Sequence, residues 1–194
     1  MKKQYLYLVL ISLFISIEAS SQFLDNLLNV KHKEGFAILN SGDTLRGSFE
    51  FNDCKQNYEL LVFINPVSFK KSAYKPDEVM FFSLDSIYYL PKELKDGWEF
   101  VQLISNDNLK VFLRKRFFTT NTGSGSENQI MYEKPDRKYL LVSFNNFYPF
   151  KSRVGNFFSD DIELSKKIYN NTYTKADVLK IALEYNNWLK EKKK

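Results

Sequence analysis

Two periodicities divide the chain. From about residue 22 to Phe150 the apolar positions alternate with polar ones over short runs, the signature of half-buried strands; beyond it they recur at helical spacing. Phe36–Leu39 and Thr44–Phe51 flank the turn Asn40-Ser41-Gly42-Asp43, with Leu45, Gly47, Phe49 and Phe51 on one face of the second run. Tyr58–Ile64 is a further strand closed by Asn65-Pro66, and Glu78–Leu84 and Ser86–Leu90 follow, ended by Pro91. Trp98–Ile104 and Leu109–Phe118 predict a second hairpin, and Ile130–Tyr132 and Lys138–Phe144 a third across Lys134–Arg137. Thr119–Gln129, free of apolar residues and carrying Gly and Ser, reads as an exposed mobile loop, and residues 22–34, with His32, as a short helix or a loose arm.

The change of period locates the helices. Asp160 with Glu163 three residues on predicts a helix continuing to Tyr169. Thr174 with Asp177 predicts a second, where Val178, Ile181, Ala182, Tyr185, Trp188 and Leu189 form one stripe that Leu179 and Leu183 widen. The expected fold is α+β: a mostly antiparallel β-sheet over residues 22–150, as a curved sheet, sandwich or barrel-like form, followed by C-terminal helices over residues 151–194 packed on it. Eighteen Phe and twelve Tyr strengthen the sheet assignment, because aromatic side chains fit pleated surfaces.

The first 21 residues have a different character. Met1-Lys2-Lys3 precedes an apolar run from Tyr5 to Ile17, and Ala19-Ser20-Ser21 supplies small residues for cleavage before Gln22. This layout predicts a signal peptide, and the apolar run is shorter than a bilayer span requires. The chain is therefore expected to be exported to the periplasm, the outer membrane or the medium. A single cysteine, Cys54, excludes an internal disulfide despite export.

Chemistry is sparse. The one histidine, His32, lies between two lysines, which leaves no Ser-His-Asp or Cys-His arrangement and no His-rich metal cluster. No GxGxxG or P-loop occurs, and no cofactor is expected. Carboxylates remain: Asp43, Asp85, Asp107, Asp160 and Asp161 stand at turns or element ends, where turn formation and capping account for them, while two converging across an open cleft would suit a hydrolase acting on envelope glycan. Lys110, Arg114 and Arg116 alternate beside Phe112 and Phe118, which reads as a solvated sheet face; with a net charge of +5 and an export signal, an anionic glycan, membrane surface or acidic protein is favoured over nucleic acid. Tyr88, Tyr89, Trp98 and Phe112 are the aromatic candidates for contact with a partner.

A resemblance adds to this. Phe36–Gly47, read as FAILNSGDTLRG, is similar to the "GY-I-x-L-x-x-GDT-I-x-G" opening of small, largely uncharacterised exported proteins of Bacteroidetes. Phe157–Ile168 resembles that family's "F-x-D-C-P-x-L-x-x-K-I" segment, with Asp161 and Ile162 in place of Cys-Pro, and Ile181–Asn186 its "I-V-x-x-YN" end. The resemblance implies a periplasmic or surface-associated protein and transfers no catalytic residue. The resulting expectation is a non-enzymatic module binding an envelope protein or other macromolecule, with a glycan hydrolase and a small-ligand carrier as the alternatives.

Overall fold

The computed structural model describes residues 31–51, 58–121 and 123–193; the expected signal peptide and Cys54 lie outside them. Ten strands form one antiparallel sheet: β1 (His32–Leu39), β2 (Thr44–Glu50), β3 (Leu61–Ile64), β4 (Lys71–Tyr74), β5 (Val79–Leu84), β6 (Ile87–Leu94), β7 (Gly97–Asn106), β8 (Lys110–Thr120), β9 (Gly123–Glu133) and β10 (Tyr139–Ser143). Their order across the sheet is β10-β9-β8-β7-β6-β5-β1-β2-β3-β4, so strands adjacent in sequence pair everywhere except where β5 returns to β1. Helices α1 (Phe150–Phe157), α2 (Ile162–Tyr169) and α3 (Val178–Glu191) complete the α+β architecture.

The sheet is open in its hydrogen bonding but strongly curved. Phe51, at the end of β2, lies three strands from β6, a separation of about 14 Å on a flat sheet; its ring centroid is 5.6 Å from that of Tyr89 on β6. Tyr58, just before β3, is likewise 5.7 Å from Phe117 on β8. The curl encloses one core, with Ala37, Phe49, Val79, Phe82, Leu84 and Phe100 fully buried. Beyond it the same face turns toward the helices, and Val111, Tyr132 and Val142 meet Val154, Phe158, Leu164, Ile168, Ile181 and Tyr185. Aromatic packing continues through this second core, with Phe158 against Tyr132 and Tyr185.

Several sequence expectations need correction. Residues 119–120 and 123–129 are strand rather than mobile loop: β8 and β9 pair from Lys110↔Glu133 to Thr120↔Gly123. Gly125 faces Phe118 in this pairing, and a Cβ there would stand 3.0 Å from the tip of its ring. His32 opens β1 opposite Glu50 instead of belonging to a loose arm. Pro91 does not end β6, which runs on to Leu94; it lies beyond the last pairing to β5, where β6 has a neighbour on one side only and a strand tolerates a proline. On α3 the expected stripe is buried from Val178 to Tyr185, whereas Leu179 and Leu183 point to solvent at 54 % and 61 % exposure.

Candidate functional site

The most distinctive local feature is a splay between β7 and β8. Their ladder runs from Asn106↔Lys110 to Gln102↔Leu113 and stops. Gly97–Val101 stay with β6, and Arg114–Thr120 stay with β9. A wedge of about 290 Å³ opens between the parting strands, walled by Asp96–Glu99 on one side and Arg114–Phe118 on the other. Tyr58 and Glu59, carried there by the curl of the sheet, close it. Trp98 stands at its mouth, 45 % exposed, and also borders a second depression toward Leu60, Pro76 and Asp77.

Arg114 ties the wedge together. Its Nε donates to both carboxylate oxygens of Glu99 at 3.0 Å, and Nη2 donates to Glu99 Oε1 at 2.6 Å and Asp96 Oδ2 at 3.2 Å. Nη1 donates to Gln129 Oε1 at 3.0 Å, and Gln129 in turn donates to Glu127 at 2.7 Å. Glu127 also accepts from Ser143 at 3.0 Å and from Arg116 at 3.4 Å. Burial pulls the guanidinium pKa down, but the bonds and charges of Glu99 and Asp96 outweigh it and leave it raised. The fork is a fixed positive charge matched by its own carboxylates, geometry that suits a scaffold.

The sequence candidates separate accordingly. Trp98, Arg114 and Arg116 come together at the wedge. Arg114 is buried and ion-paired, which corrects the solvated face expected for the alternating basic residues. Phe112 is fully buried on the sheet face away from the helices, with the Lys92 ammonium 4.6 Å from its ring centroid. Tyr89 is also core, stacked on Phe82 at 4.8 Å. Tyr88 is 46 % exposed in a different place, where Phe36, Phe81 and Tyr88 cross three adjacent strands and Arg46 lies over the Phe36 ring. Lys110 is half-buried at the far end of β8. Asp96 and Glu99 were missed, although the hairpin itself was legible and its register would have set Glu99 near Arg114.

The turn and end carboxylates all have structural partners. Asp43 accepts from Ser41, Asp85 pairs with Lys33, Asp107 with Lys190 and Asp160 with Lys134, and Asp161 caps α2 by accepting from the Leu164 N–H. Asp136, Asp160, Asp177 and Glu184 are held below the usual carboxylate range, opposite to what a proton donor requires. Among the described residues no group of three or more His, Cys, Asp or Glu could hold a metal ion, and no helix is long and apolar enough to cross a membrane. No protein-family model matches the chain, and neither a curated protein nor a solved structure does.

Proposed function

We propose that the chain is a non-enzymatic periplasmic or secreted module that binds an envelope protein or other macromolecule at the β7–β8 wedge. The observation that carries this reading is Trp98, a large aromatic side chain left half exposed between two depressions while the charged groups behind it are held by one another. An aromatic side chain so placed offers much contact area for little loss of conformational freedom, the property of interface anchors. Asp96 and Glu99 are both engaged by Arg114 instead of facing each other across open space, which supports binding over glycan hydrolysis. The exported character implied by the leader and by the Bacteroidetes resemblance supplies the setting.

The test is capture of partners from detergent-solubilised envelope and from purified glycans by the chain beginning at Gln22, compared with its Trp98→Ala variant. A single protein or glycan retained by the parent and lost at least about tenfold by the variant, as expected for a hot-spot tryptophan, supports the reading. Equal retention by both removes Trp98 and the wedge from the binding surface.

A further inference from the structure

The turn between β3 and β4 is a rigid frame that holds apolar side chains in water. Asn65 organises it: its Oδ1 accepts from the N–H groups of Val67 and Ser68, both at 2.9 Å. The Asn65 carbonyl accepts from the Phe69 N–H at 2.9 Å, and the Asn65 N–H donates to the Lys70 carbonyl at 3.0 Å. On this frame Val67 is 87 % and Phe69 78 % exposed. Phe69 also sits at φ +55°, the left-handed region that suits Gly or Asn and penalises a bulky side chain. The fold is thus opposed twice at one residue, by backbone strain and by an aromatic ring in water, and Asn or Gly would relieve both.

Charge identifies what would reward such a residue. Between Leu60 and Pro76 there is no Asp or Glu, while Lys70 and Lys71 stand beside the apolar tip and are exposed. Lys71 also reaches Glu50 on β2, which orders it near the turn. An apolar tip flanked by ammonium groups matches the boundary between anionic headgroups and acyl chains. A projecting turn also fits a deformable surface better than a preformed concave pocket. We propose that the β3–β4 turn is a membrane-contact tip, with Val67 and Phe69 entering an anionic bilayer surface and Lys70 and Lys71 facing its phosphates. With two apolar side chains and two lysines, one of them shared with Glu50, the contact is reversible.

This surface is independent of the wedge, so Trp98→Ala leaves it intact. The experiment is co-sedimentation of the chain from Gln22 onward, which contains every described residue, with phosphatidylcholine vesicles with and without phosphatidylglycerol. Capture is expected only with phosphatidylglycerol and weakens with added salt. It falls about fivefold for Lys70→Ala, the weight of one lysine at an anionic surface. Phe69→Asn is the decisive variant: it abolishes most of the capture and leaves the thermal unfolding midpoint unchanged or higher, because strain is relieved. Equal capture by neutral vesicles, no capture by either kind, or undiminished capture of Phe69→Asn each overturns the proposal. A lowered midpoint for Phe69→Asn also overturns it, since the ring would then serve the fold.

Discussion

Arg114 and Asp160 illustrate how a single charged residue can be essential for opposite reasons. Arg114 is buried with Glu99, so removing it strands a carboxylate in low dielectric. Arg114→Met is expected to cost about 3–5 kcal/mol in denaturant unfolding, whereas the double variant Arg114→Met/Glu99→Leu recovers most of the loss, because the penalty is the unpaired charge. Asp160 is more open and acts as a clip. Its Oδ1 accepts from Lys134 at 2.7 Å and its Oδ2 from the Tyr185 hydroxyl at 2.5 Å. Burial pushes its pKa up, but these two bonds outweigh it and hold it below the ordinary value. A carboxylate depressed in the folded state contributes stability above its unfolded pKa, and that contribution is lost as pH falls through the folded one. Acid titration below about pH 4 should therefore destabilise the wild-type protein more than Asp160→Asn, measured as the slope of the unfolding midpoint against pH. The alternation of Arg114 and Arg116 was readable from residue order, yet which face of a curved sheet is covered was not. Here Phe112 and Met131 are buried on the face that the helices leave open, with Leu94 and Val101 beside them.

At the scale of elements, small residues decide where helices and strands approach. A Cβ on Gly155 of α1 would lie 2.6 Å from the Tyr169 ring of α2. The ring donates through its hydroxyl to Asn156 at 2.6 Å, so Gly155→Ala must displace it. In the Tyr169→Ala background the same change should stabilise by about 1 kcal/mol, the ordinary helix gain of Ala over Gly. In the wild-type background the gain should vanish or reverse, and a double-mutant cycle reads the difference. Asn186 on α3 fastens the β7–β8 hairpin end, accepting from the Leu109 N–H at 2.7 Å and donating to its carbonyl at 3.2 Å. Asn186→Ala leaves both backbone groups buried without that partner and is expected to cost about 2–3 kcal/mol. The start of α2 was legible to within one residue, since Asp161 rather than the expected Asp160 caps it, and Thr174 with Asp177 forms the expected capping box on the 3-10 turn that leads into α3. Helix α1 was not marked as an element, since its start, at Pro149, has no side-chain cap and Gly155 weakens its helical pattern. The Gly- and Ser-containing half of the β8–β9 hairpin misled for a related reason: glycine there makes room for an aromatic neighbour, which only pairing partners reveal.

The whole molecule is a sequential meander with one long-range join, β5 onto β1 across the excursion of β2, β3 and β4. That local order is why antiparallel sheet was recoverable from alternation and turns alone. The curl was not, because it depends on rings that meet across many strands, as Tyr58 and Phe117 do. If those rings hold the curl, Phe117→Ala should accelerate amide exchange at Leu60 and Leu61, distant in sequence, while α3 keeps its protection. Faster exchange confined to β8 and β9 would show the curl to be held elsewhere.

Among the described residues, a row of strands that never joins head to tail keeps two unpaired borders, and such borders invite other chains to add on. One border is β4, four residues long, which begins at exposed Lys71. The other is β10, five residues long, with α1 lying against it. Brevity and charge guard the first border, and brevity and a neighbouring helix the second, so the molecule can remain open-ended without serving as a template for fibres.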